Sequence, residues 1–158
     1  MINEEDKLKK FIEENNIQAE HVRFDKSLHS VQDTMRVTGF TLNQIAKTII
    51  FKTKTNKTIA AIIPAVYRVS ITKLKKATGI NDIELAEANQ AYELTGYPIG
   101  GMPSFGYNAI FVMDPKIMEN ENIYTGGGSE FSLTKINIKE LTKINQPIIK
   151  KITGNKSN

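Results

Sequence analysis

Thr95-Gly96-Tyr97-Pro98-Ile99-Gly100-Gly101-Met102-Pro103-Ser104-Phe105-Gly106 holds four Gly and two Pro in twelve residues. Gly reaches backbone conformations that a Cβ forbids and lets another chain approach its main chain closely. Pro fixes φ and removes a donor, so the segment reads as a shaped loop, neither helix nor central strand. A loop of this kind can aim free N–H groups into a concavity, where they bind carbonyl or phosphate oxygens. The other reading is a long turn that only reverses the chain, since Gly and Pro are the ordinary turn residues.

Outward from this loop the pattern alternates short helices and short strands. Asn3 caps a helix over 3–16 with acids in its first turn. His21–Phe24 alternates like a strand, and Ser30-x-x-Asp33 opens a helix closed by Gly39. Ile45–Lys54 and Thr58–Ile63 both contain continuous apolar runs, which predicts strands buried on both faces, the second ended by Pro64. Ser70 caps a helix ended by Gly79, residues 82–86 form a short strand, and 87–95 form a helix feeding the Gly/Pro loop. Strands follow at 109–113, 122–124 and 131–134, and Asn137-x-x-Glu140 opens a last helix to about Ile144. These elements predict an α+β fold with six or seven strands.

The 158 residues suit one domain over 1–147, with 148–158 expected to be a basic, flexible tail. The chain has 40% hydrophobic and 24% charged residues, and its apolar runs are too short to span a bilayer. The N-terminus does not read as a secretory signal. Cys is absent, which excludes a thiol nucleophile and thiolate metal sites and fits a cytoplasmic location. With only His21 and His29, a His-rich metal site is not expected, and no cofactor is implied. Residues 1–138 carry 16 Lys+Arg and 16 Asp+Glu, whereas 139–158 carry five Lys and one Glu, so the net charge of +4 lies entirely at the C-terminal end. Such a segment adds attraction to nucleic acid, or is simply solvated.

Three further motifs bear on chemistry. Ala46-Lys47-Thr48 puts a lone Lys at the start of a buried strand, where it must snorkel to an edge or reach a cleft. Phe111-Val112-Met113-Asp114 is an apolar strand ending in an acid, which could serve as a base or as a turn residue. Tyr124-Thr125-Gly126-Gly127-Gly128-Ser129 is a second Gly-rich loop, but it lacks the Gly-Lys-Ser/Thr ending of a P-loop.

In this order and spacing the chain resembles the YbaK/prolyl-tRNA-synthetase-associated domain family over about Ser30 to Leu141. The resemblance implies a mixed, partly closed β-sheet with helices outside it. It further implies a free-standing aminoacyl-tRNA deacylase that hydrolyses the ester of mischarged tRNA by positioning the substrate. A non-catalytic RNA- or nucleotide-binding module of the same fold is the alternative. The implied partners are the aminoacylated 3′ end of tRNA and an aminoacyl-tRNA synthetase, with the chain a monomer or weak homodimer. Lys47 and Gly101 are implied as catalytic. Gly100, Pro103, Ser104, Gly106, Gly126, Gly127, Gly128 and Asp114 are implied in substrate binding.

Departures from the family pattern fall at several of these positions. Pro103 precedes Ser104 where many members have the reverse order or two prolines. Gly128 stands where some members carry a basic residue, Phe24 near a Tyr and Ser132 near an Asp. Tyr97 and Phe105 could stack on a terminal adenine or pack in the core. His29 lies in a loop that the resemblance brings near the pocket.

Overall fold

A computed structural model describes residues 3–28 and 30–157. His29 lies outside the described residues. Alternate residues of Thr58–Pro64 (β3) enter two different apolar clusters, and this strand centres the architecture. Ala60 and Ile62 join one cluster, while Ile59, Ala61 and Ile63 join the other. Every residue of β3 is buried, as the continuous apolar run predicts. Pro64 is its last residue.

β3 pairs antiparallel with Ala46–Lys52 (β2) and parallel with Ile110–Met113 (β6). The sheet is completed by Glu84–Leu85 (β5) at the outer edge of β2 and Ile148–Ile149 (β9) beside β6, in the order β5-β2-β3-β6-β9. A second sheet, wholly antiparallel, orders Ala19–Arg23 (β1), Ser132–Asn137 (β8) and Asn122–Gly126 (β7) as β1-β8-β7. One bridge, Ile45 to Tyr124, links the two sheets. The fold is thus α+β with mixed, otherwise open sheets.

The helices sit where their caps lie in the sequence. Asn3, Ser30, Ser70 and Asn137 accept first-turn N–H bonds for Glu4–Glu14 (α1), Val31–Thr38 (α2), Ile71–Thr78 (α3) and Ile138–Asn145 (α5). Gly39, Gly79 and Gly96 close α2, α3 and Ala88–Thr95 (α4) with left-handed backbones. α1 covers one cluster through Leu8, and α3 covers the other through Leu74.

The described residues hold ten strands instead of six or seven. The additions are short edge pieces: Tyr67–Val69 (β4), β9, and Thr153–Lys156 (β10), which pairs antiparallel with β4. Within the segment expected to be a flexible tail, residues 148–157 carry β9 and β10. Ile152 is fully buried in the cluster under α3, and the Asp114 carboxylate accepts the Ile152 and Thr153 N–H groups at 2.9 and 3.0 Å. A partner 38 residues upstream orders a segment whose own composition reads as a frayed end.

Candidate active site

β5 pairs only with Phe51 and Lys52, so among the described residues no strand pairs with the outer edge of β2 from Ala46 to Ile49. A cavity of about 330 Å³ opens there. One wall is α2, through Val31 and Thr34; Leu28, Ile49, Met102 and Leu133 make much of the lining apolar. The Gly/Pro loop and the Gly triplet meet backbone to backbone on another side. The Gly128 N–H donates to the Gly101 carbonyl at 2.8 Å. A Cβ on Gly126 would strike the Met102 carbonyl, and one on Gly101, whose φ is +148°, would strike the Ser129 backbone. Gly is required at both positions by contact, and at Gly101 also by conformation.

Lys47 enters this cavity from the free edge of β2. Its ammonium has neither a hydrogen bond nor an ion pair among the described residues. Burial first, and then the nearby Arg68 charge, hold its pKa below the ordinary lysine range. A half-buried, unpaired cation with a second cation nearby disfavours its own charge, and a bound anion relieves that cost. The Gly100 N–H, at the rim, also donates no hydrogen bond within the described residues. The Gly101 N–H, unlike that of Gly100, is committed to the Ile99 carbonyl at 2.9 Å.

Two buried networks brace these walls. Thr48 Oγ1, on the cavity side, meets Ser104 Oγ at 2.8 Å, and Ser104 Oγ also meets Thr125 Oγ1. The three hydroxyls tie β2, the Gly/Pro loop and β7 together. At the other wall Ser129 Oγ donates to Glu5 Oε2 at 2.8 Å, and Arg23 donates to the same oxygen. Burial opposes the Glu5 charge, but the Ser129 and Arg23 bonds outweigh it and hold its pKa below the usual range. His21 Nε2 donates to the Gly127 carbonyl at 2.8 Å.

The residues singled out in the sequence thus separate into two groups. Lys47, Gly100, Gly101 and Gly126 line the cavity. Pro103, Ser104, Gly106, Gly127, Gly128 and Asp114 do not. Pro103 is buried and its carbonyl accepts the Tyr107 hydroxyl at 2.6 Å. Ser104 is fully buried in the hydroxyl network. Gly106 lies against Leu8, Phe11 and Tyr97. Gly127 packs on Ser132, and Gly128 on the first turn of α1. Asp114 is 1% exposed and spends its oxygens on the N–H groups of Lys116, Ile152 and Thr153. At these six positions each polar group has a protein partner or each Cβ position a protein neighbour, which braces the cavity walls. Tyr97 and Phe105 are fully buried core residues, not a stacking platform.

Sequence reasoning passed over Thr34, Thr48, Met102 and Ser129 as cavity residues. Thr48 was within reach, since it completes the Ala-Lys-Thr motif. Thr34 and Ser129 reach the cavity only through the packing of α2 and of the triplet loop. Among the described residues no cluster of three or more His, Cys, Asp or Glu could hold a metal.

The profile of one protein family, described as the aminoacyl-tRNA editing domain, matches residues 25–144. The chain belongs to the aminoacyl-tRNA editing domain family. The matched span contains the whole cavity and leaves out α1, β1, β9 and β10. Among relatives of this editing domain, a proline–tRNA ligase of Desulfotalea psychrophila is 27% identical over 115 residues, 72% of this chain and 20% of that protein. The chain spans about one fifth of the length of the proline–tRNA ligases it matches. The uncharacterized protein YwhH of Bacillus subtilis is 23% identical over 76% of this chain and 77% of its own length.

Among solved structures, hypothetical protein APE2540 superposes with a TM-score of 0.85 at 27% identity, covering 94% of this chain and 99% of that one. A proposed trans-editing enzyme for prolyl-tRNA synthetase superposes with a TM-score of 0.87 at 19% identity, covering 96% and 97%. The second likeness shows the shared fold, including the YbaK-like arrangement of sheets.

Proposed function

We propose that this editing domain is an aminoacyl-tRNA deacylase acting in trans on mischarged tRNA. The observation that carries the reading is the unpaired Lys47 ammonium inside a largely apolar cavity, beside a free Gly100 N–H. An aminoacyl ester at the 3′ end of tRNA has matching parts: a small side chain, a polarised carbonyl and a phosphate one nucleotide away. In this reading the side chain enters among Leu28, Val31 and Ile49. Lys47 anchors the charged end, and the Gly100 N–H meets the carbonyl oxygen.

The chemistry asks little of the protein. Water adds to the carbonyl carbon, negative charge gathers on the carbonyl oxygen, and the C–O bond to the ribose breaks. The proton lost by water ends on the departing ribose oxygen. The ester is already activated, and the neighbouring ribose hydroxyl can orient the water. Rate then comes from fixed geometry and from donors aimed at the developing oxyanion. A second sieve of this kind is needed because a pocket separates side chains differing by one methylene by only about 1–3 kcal/mol.

The test is single-turnover hydrolysis of a panel of mischarged tRNAs by the wild type and by Lys47→Ala. A loss of roughly 10²-fold in rate with an unchanged melting temperature is expected. Binding of mischarged tRNA without hydrolysis of any member of the panel would favour a non-catalytic binding module.

A further inference from the structure

The ordered C-terminal strand builds a surface that the cavity does not include. Tyr67 of β4 lies two residues beyond Ala65, which lines the cavity. Its ring has Lys116 Nζ at 5.5 Å and Lys156 Nζ at 5.9 Å from the centroid. Its neighbour Arg68 is exposed and lies close enough to Lys47 to disfavour that ammonium's charge. Arg68, Lys116 and Lys156 form no ion pair with an acid among the described residues. By contrast, the α1 lysines Lys9 and Lys10 and the β2 lysine Lys52 are each paired with a carboxylate.

These cations are held by structure and not merely by sequence. Lys156 ends β10, whose register on β4 places it opposite Tyr67. The segment is pinned by Asp114, by Ser70 N–H to the Ile152 carbonyl at 2.7 Å, and by Ser157 N–H to the Val66 carbonyl at 2.6 Å. Two ammonium groups sharing one aromatic ring gain cation–π attraction but repel each other. An anion bridging them removes the repulsion. Residues 148–158 contribute three Lys and no acid, and the Asp114 carboxylate beside them is buried. β10 also lies beyond the residues 25–144 that match the family.

We infer that Arg68, Lys116 and Lys156 form a phosphate-binding track that leads an RNA backbone to the cavity and its Lys47. This rests on the reading of tRNA as substrate and adds the face on which the nucleic acid lies. The C-terminal strand then acts by placing charge: it fixes Lys156 over the Tyr67 ring instead of leaving it on a loose end.

The experiment measures binding of fluorescein-labelled, uncharged tRNA to the full chain by anisotropy between about 50 and 200 mM salt. It compares wild type, Lys116→Gln/Lys156→Gln, and Lys9→Gln/Lys10→Gln on α1. The first double variant should bind more weakly at low salt, and its slope of log K against log salt should be shallower by about 1.4–1.8, as two lost phosphate contacts require. The α1 variant, with the same charge change, should keep the wild-type slope. An equal slope in all three proteins overturns the inference, as does absence of wild-type tRNA binding at low salt. Deacylation of mischarged tRNA is assayed separately. Changed slopes without hydrolysis would keep the track and sink the deacylase reading; hydrolysis with unchanged slopes would do the reverse.

Discussion

Asp114→Ala separates a structural from a substrate-binding role for the one acid at the end of a core strand. The carboxylate accepts from Lys116 N–H at 3.0 Å, Ile152 N–H at 2.9 Å and Thr153 N–H at 3.0 Å. Lys116 is only partly buried, so water replaces that bond. Ile152 and Thr153 are 0% and 2% exposed, so their donors are left without a partner. A buried unsatisfied donor costs about 1–3 kcal/mol, and the lost bonds are charge-assisted. The expected destabilisation is therefore about 3–5 kcal/mol. That is a large share of the roughly 5–15 kcal/mol that holds a domain together. Asp114→Asn keeps an acceptor oxygen but no charge, and should lose about half as much.

The same argument sets a pH dependence. Burial opposes the Asp114 charge, but the N–H groups of Lys116, Ile152 and Thr153 outweigh it and hold the pKa below its ordinary value. A carboxylate depressed in the folded state adds stability that is complete above its unfolded pKa of about 3.9. That stability is lost as pH falls through the lower folded value. Urea denaturation at neutral and acid pH, with hydrogen exchange at the Ile152 and Thr153 amides, measures both effects. The acid-induced loss should be smaller in Asp114→Ala. An Asp114→Ala protein with a wild-type denaturation midpoint, normal protection at 152 and 153, and lost deacylation would refute this account and return Asp114 to the substrate.

Further expectations concern the cavity and the core. Lys47→Met should raise the melting temperature slightly while slowing deacylation roughly 10²-fold. The folded state disfavours the Lys47 charge, a cost carried at neutral pH and relieved as pH rises through the lowered folded pKa toward the unfolded one. For the same reason the wild-type rate should fall on the alkaline side below the ordinary lysine range; a rate that is flat there would count against an ammonium anchor. Gly126→Ala should cost about 1–3 kcal/mol and slow the reaction, because its Cβ meets the Met102 backbone and not a flexible side chain; an unchanged melt and rate would show the two loops to be loosely apposed. Tyr97→Phe should be neutral or slightly stabilising by thermal melt, since the Tyr97 hydroxyl is buried without a partner, and a clear loss of stability in that variant would show that the hydroxyl is hydrogen-bonded after all.

What the sequence determined by itself is what depends on near neighbours. Ser30, Ser70 and Asn137 begin helices because each side chain reaches an N–H two or three residues on. Gly39 and Gly79 end helices because the left-handed backbone suits them. The apolar run of β3 announces burial on both faces, and the ordered motifs around Lys47 and the two Gly-rich loops pointed to the editing fold. The tertiary structure decided everything that rests on distant partners. Lys47 faces a cavity because β5 is too short to cover the edge of β2. Gly106 and Ser104 share a loop with Gly100, yet they turn into the core, toward Leu8 on α1 and Thr48 on β2. The basic C-terminal end is ordered because Asp114 holds its N–H groups and Ile152 fills an apolar cluster. Each of these pairings joins residues dozens of positions apart, and local propensity carries no record of them.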